Sequence, residues 1–287
     1  MAKVFWSADG ERQVQKLYRQ ALDNWPVQHT QACVPTREGE TFVLTCGPSG
    51  APPVVLLPGS LATSAMWARS MGLWAADFRI YAVDLIGDAG LSAPSRPSLS
   101  TDAHAKWLDD VLTALSLPSA HFVGASLGGL IALDYAIRRS EKVRTLALMA
   151  PAGLGRLRWG FVARTAPFLF LGPWGHRRAL NLDMGFGAQE LDPANREFLR
   201  LFKLVQEHFV ARMTALPRFS DQSLEALTMP VMLVVGARDS VFDSAEARKR
   251  VEANVRNATI VYLDDAGHGL PDCTREIYEF LRTHGDR

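Results

Sequence analysis

From residue 40 onward the chain repeats one rhythm: a short run of aliphatic and β-branched residues, then a longer stretch with helical spacing. The runs are TFVLTC, PVVLLPG, RIYAVDLIG, AHFVGAS, VRTLALMAP, MPVMLVVGARD and ATIVYLDDAG. Several are apolar at every position rather than at every second one. Successive side chains of a strand point to opposite faces, so a continuously apolar run suits a strand covered on both sides. Helical spacing falls near residues 101–115, 127–140, 244–254 and 274–283. Such alternation predicts an α/β fold, a mostly parallel central sheet with right-handed crossovers and helices on both faces.

Two stretches break the rhythm. Residues 11–25 place Val14, Leu17, Tyr18, Ala21, Leu22 and Trp25 at helical spacing, which predicts an amphipathic leader helix within residues 1–30. Between residues 152 and 222 strand signals thin out and large apolar residues accumulate, among them Trp159, Phe161, Phe168, Phe170 and Trp174. This segment reads as a helical cap or lid inserted before a later strand, leaving residues 31–151 and 223–287 as the core. No internal repeat or low-complexity segment interrupts the pattern.

Composition excludes several classes of function. With 31 Lys plus Arg against 30 Asp plus Glu, the net charge is +1, which gives no broad field for nucleic acid or an anionic membrane. The stretch FVARTAPFLFLGPWG carries Arg164 and two prolines and is too short to span a bilayer, which takes about 20 apolar residues. Cys33, Cys46 and Cys273 are sparse, odd in number and without a CxxC pair, as expected in a reducing compartment. The N-terminus becomes charged before an apolar signal core can form. The expectation is a cytoplasmic protein. No His, Cys or Asp cluster has metal-ligand spacing, and no cofactor is implied.

The chemistry-bearing candidate is Ser126 in HFVGASLGGLIALDYAI, between an apolar strand run and a helical stretch. Gly124 and Gly128 flank it, as a sharp strand-to-helix turn requires where a side chain would strike a neighbouring element. The pentapeptide alone suits a nucleophile or a small residue filling a tight turn equally well. A serine nucleophile needs a base, and the base needs an orienting carboxylate. Asp239 follows the run MPVMLVVGARD, and His268 lies in LDDAGHGLP after the next run, so both fall where parallel strands deliver their C-terminal ends. Asp243 is the alternative acid, with Asp239 the other candidate for capping the next helix. Of the remaining histidines, His29, His104, His121, His176, His208 and His284, none has this flanking context. Oxyanion donors are expected from the backbone N–H groups of Leu127, after the serine, and Ser60, after Gly59 in VVLLPGSLATSAMW.

The carriers VVLLPGS…MW, YAVDLIGDAGLS, GASLGG, GARD and DAGH stand in the order and spacing of the α/β-hydrolase superfamily, which the chain resembles from about residue 30 onward. The leader ending in WPV and the phrase FRIYAVDLIGD resemble its bacterial carboxylesterase-like members. Two departures stand out: Pro58 replaces the common histidine before Gly59, and YAVDLIGDAGLS departs from the commoner Asp-x-x-Gly-x-Gly-x-Ser. The resemblance makes the loop of Asp84 and Asp88 structural, with Asp84 taking up backbone N–H groups. Asp264 and Asp265 read as loop residues too close in chain to His268 to orient it.

The implied function is a serine hydrolase cleaving a carboxylic ester, or a related acyl bond, of a small and partly hydrophobic substrate. A serine at position 126 sets it apart from the epoxide hydrolases and haloalkane dehalogenases, which use aspartate there. The same three residues would also serve C–C bond, lactone or thioester hydrolysis, or perhydrolysis. A non-catalytic binding protein of the same fold is the alternative from another class. Met66 and Trp67 are placed equally well in a pocket wall or in the core.

Overall fold

The computed structural model describes residues 3–169, 171–172, 174–175, 178, 195–210, 212 and 214–285. Eight strands, β1 (His29–Thr36), β2 (Gly39–Cys46), β3 (Pro53–Leu57), β4 (Arg79–Val83), β5 (Ala120–Ala125), β6 (Val143–Met149), β7 (Val231–Gly236) and β8 (Ala258–Leu263), form one sheet in the order β1-β2-β4-β3-β5-β6-β7-β8. From β4 to β8 every neighbouring pair is parallel, while β1 and β2 run antiparallel at one edge.

The continuous apolar runs have the cause expected of them. In β3, Val54 and Leu56 enter one hydrophobic cluster and Val55 and Leu57 the other, and β7 divides Met232 and Val234 from Leu233 and Val235 in the same way. One cluster is completed by α1 (Ala8–Asp23), α2 (Met71–Asp77), α6 (Arg196–His208) and α9 (Thr274–Thr283). The opposite face is covered by α3 (Ala103–Ala114), α4 (Ser126–Arg138) and α8 (Ser244–Asn254).

The leader helix α1 begins at Ser7, whose Oγ accepts from Gly10 N at 3.0 Å. Its buried Tyr18 donates to Asp84 Oδ1 at 2.9 Å, tying the helix to the loop after β4. Two elements lie outside the sequence rhythm. Strand β1 is mostly solvent-facing, holds Pro35 and begins at His29, which the sequence assigns to the leader. An exposed edge strand lacks the double-sided apolar signature of the inner ones. The described residues between β6 and β7 include α5 (Trp159–Leu169), α6 and the short α7 (Asp221–Glu225). The expected helical run through Phe170 and residues 179–194 lies outside the described residues.

Candidate active site

Ser126 stands where β5 ends and α4 begins, with φ +47°. Left-handed backbone at a non-glycine residue is strained, and the surrounding packing explains its persistence. A Cβ at Gly128 would stand 2.2 Å from the Leu57 carbonyl oxygen, and one at Gly124 would stand 2.6 Å from the Gly128 carbonyl oxygen. Both glycines therefore let backbone approach backbone more closely than any side chain permits, and the serine is lifted onto the N-terminus of α4.

Parallel register brings the other candidates to the same sheet edge. His268, in the loop after β8, places Nε2 3.1 Å from Ser126 Oγ and Nδ1 2.9 Å from Asp239 Oδ2. With Nδ1 protonated, its N–H donates to Asp239 and Nε2 is left to accept from the serine hydroxyl. Asp239, in the loop after β7, is 2% exposed and its Oδ1 accepts from Val241 N at 2.7 Å and Phe242 N at 3.0 Å. Two backbone donors thus fix the carboxylate while the other oxygen faces the ring. The Phe242 ring lies 5.5 Å from that of His268, covering it.

The alternative acid has a different task. Asp243 Oδ1 accepts from Glu246 N at 3.0 Å and caps α8, the capping role that the sequence leaves open for Asp239. Asp265 pairs with Arg238 on the surface. The buried histidines are also accounted for: desolvation pushes His104 and His121 down to about 4, and His121 Nδ1 lies 2.9 Å from Thr145 Oγ1, below the sheet edge.

The loop after β3 packs directly on the serine, since a Cβ at Gly59 would touch Ser126 Cβ at 3.4 Å. Residues 59–62 form a turn closed by Ala62 N donating to Gly59 O at 3.2 Å. Ser60 is therefore carried close to Ser126 by this packing, and Leu127 by chain adjacency. Asp84 collects Ser64 N and Oγ, Leu91 N and Tyr18 Oη, the structural role expected of it. Asp88 belongs to the loop expected to be structural, but its partners are not legible in the sequence. Its carboxylate reaches across to Leu61 N and Ser60 Oγ, and its only sequence signal is the departure of GDAGLS from the common loop.

A cavity of about 340 Å³ opens over Ser126 and His268, walled by Met66, Trp67, Phe198, Phe202, Leu270 and Ile277. Trp67 serves as wall and core at once, packing on Trp74 at 6.1 Å, and Met66 joins it in the wall. Among the described residues no group of three or more His, Cys, Asp or Glu could hold a metal ion, and no helix is long and apolar enough to cross a membrane.

Residues 52–271 match the family model of the alpha/beta hydrolase fold. The carboxylesterase YbfK of Bacillus subtilis (strain 168) is 30% identical over 268 residues, covering 88% of this chain and 86% of the relative. The uncharacterized carboxylesterase nap of the same organism is 30% identical over 271 residues, covering 88% and 85%. Among solved structures, the Bacillus subtilis naproxen esterase (carboxylesterase NP) superposes with a TM-score of 0.82 at 28% identity, over 96% of this chain and 98% of that one.

Proposed function

The chain belongs to the alpha/beta hydrolase fold family, and from that premise we propose that it is a carboxylesterase working through an acyl-enzyme on Ser126. The observation that carries the reading is the unbroken hydrogen-bond chain from Ser126 through His268 to buried Asp239, at the floor of an apolar cavity.

In this mechanism Ser126 Oγ attacks the ester carbonyl carbon while its proton passes to His268 Nε2. The oxyanion is received by the backbone N–H groups of Leu127 and Ser60, aided by the positive end of α4. Asp239 holds the imidazole tautomer and balances the imidazolium without taking the proton. Collapse of the tetrahedral intermediate expels the alcohol, which takes the proton from Nε2. Water then repeats the sequence, giving up its proton to His268, and the acid leaves as Ser126 regains its hydrogen.

Residues 152–222 act as a cap in this reading, because Asn195, Phe198, Phe202 and Arg212 from that segment reach the cavity above the serine. A wall of aromatic residues together with Leu270 and Ile277 suits an ester with a hydrophobic acyl or alcohol part. The partner is a small molecule, and no cofactor enters. Three free cysteines, with Cys33 exposed, suit work in a reducing cytoplasm.

The deciding experiment is turnover of p-nitrophenyl esters of graded acyl length by the wild type and by Ser126→Ala. The variant is expected to lose at least about 10⁴-fold in kcat. Activity surviving in Ser126→Ala overturns the mechanism. Faster turnover of thioesters, lactones or diketones than of any ester reassigns the bond while keeping the same residues.

A further inference from the structure

The turn that carries Ser60 holds a strained residue. Residues 59–62 close as a four-residue turn, and Leu61, its third residue, has φ +67°. A positive φ at that position is the mark of a type II turn, which prefers glycine there. For a leucine the left-handed region is strained. That strain favours any shift of the turn that lets Leu61 leave positive φ.

One side chain opposes such a shift. Asp88 Oδ1 accepts from Leu61 N at 2.9 Å and from its own neighbour Ala89 N at 3.0 Å, while Oδ2 accepts from Ser60 Oγ at 3.1 Å. Asp88 is 3% exposed, so these bonds are not exchanged for water at low cost. Its loop is itself strapped down by two arginines. Arg96 donates to Gly87 O at 2.8 Å and Val210 O at 2.7 Å, and Arg212 donates to Ile86 O at 3.2 Å and Pro97 O at 3.1 Å. Arg96 and Arg212 also supply positive charge near the buried carboxylate.

We propose that Asp88 is the positioning residue of the oxyanion hole: by holding both Ser60 Oγ and Leu61 N, its carboxylate anchors residue 60 within the turn packed on Ser126, and with it the Ser60 N–H. The inference rests on the esterase reading above and adds a residue that never touches substrate. It also links the cap to the chemistry, because Arg212 both lines the cavity and anchors the Asp88 loop. A positioning role of this kind acts on the charged intermediate and leaves ester binding nearly untouched.

The test compares kcat and KM on one p-nitrophenyl ester for the wild type, Asp88→Ala, Asp88→Asn and the double variant Asp88→Ala/Leu61→Gly, with Ser126→Ala alongside. Folding is checked by circular dichroism and thermal melting. Asp88→Ala is expected to lower kcat about 100-fold with KM within about threefold, the scale of one lost oxyanion donor. Asp88→Asn keeps an acceptor for Leu61 N and is expected to lose about tenfold. Leu61→Gly removes the cost of positive φ, and in the Asp88→Ala background it is expected to recover kcat at least about tenfold. Should Asp88→Ala not fold, Asp88→Asn decides alone. The proposal is overturned if a folded Asp88 variant keeps wild-type kcat, or if KM rather than kcat carries the loss, or if Leu61→Gly recovers nothing in a folded Asp88→Ala protein. Those outcomes leave the esterase reading standing as long as Ser126→Ala is inactive, whereas activity in Ser126→Ala removes both.

Discussion

A methyl group added at Gly128 would stand 2.2 Å from the Leu57 carbonyl oxygen, whereas one added at Gly160, at the start of α5, would meet nothing within 4 Å. The two glycines belong to the two halves of the candidate site: the turn beneath the reacting atoms and the segment proposed to cap them. Around Ser126 the chain is over-determined. Ten of the thirteen residues of α4 are buried, and the turn is confined by β3 and β5 on both sides. Trp159, beside Gly160, is 83% exposed, and α5 even accommodates Pro167. The groups that the proposed mechanism brings against an intermediate sit on the closely packed half. The proposed cap adds Phe198 and Phe202 to a cavity wall that Met66, Trp67, Leu270 and Ile277 of the core share.

This contrast is sharpened most strongly at the acid. Asp239→Asn preserves the shape of the site but removes the charge that fixes the His268 tautomer, and kcat is expected to fall by about 10⁴-fold with KM little changed. Asp243→Asn, four residues later, retains a good helix cap and is expected to stay within about twofold of wild type. Steady-state kinetics on the pair check the assignment, and equal losses would show that the sheet edge is not organised around Asp239.

The difference between the halves is also a difference in what a sequence can reveal. The nucleophile turn is legible because its requirements are local: Gly124, Ser126 and Gly128 answer sterics within a few residues, and the flanking runs have clear periods. Asp239 and His268 are legible because parallel strands deliver their C-terminal ends to one edge, so chain order becomes spatial neighbourhood. Strand β1 is hidden because an exposed edge strand needs no apolar pattern. The contact from Asp88 to Leu61 is hidden for another reason, since it crosses between loops that only the folded sheet brings together. The positive φ of Leu61, in the loop that Pro58 enters, is hidden as well, since leucine carries no signal for the left-handed region. The cap is least legible, because aromatic residues at its positions line a cavity or pack on the body equally well, and Phe202 does both.

Gly128→Ala probes the over-determined half directly. The obstructing atoms are the backbone oxygens of Leu57 and Pro58, which cannot swing aside as a side chain would. Either β3 or α4 must move, at a cost of about 3 kcal/mol by analogy with overpacked cores. Thermal melting is expected to show a marked loss of stability, and activity is expected to fall further than the folded fraction, because the displaced element carries Ser126. A Gly128→Ala protein with wild-type Tm and kcat would break the claim that the turn is sterically determined.

The smallest effect belongs to Gly160→Ala. Gly160 adopts no positive φ and has open space where the Cβ would stand, so the substitution meets neither strain nor a clash. Its main consequence is on the unfolded chain, which loses freedom that glycine would otherwise have, and on helix propensity, where alanine is favoured by up to about 1 kcal/mol. The position lies in the first turn of α5, where that gain is only partly realised. A rise in stability of under about 1 kcal/mol is expected in a denaturant titration, with kcat unchanged. If Gly160→Ala instead lowered kcat severalfold at unchanged stability, conformational freedom at the start of α5 would be part of turnover, and the division between a rigid reacting half and a passive covering half would fail at this residue.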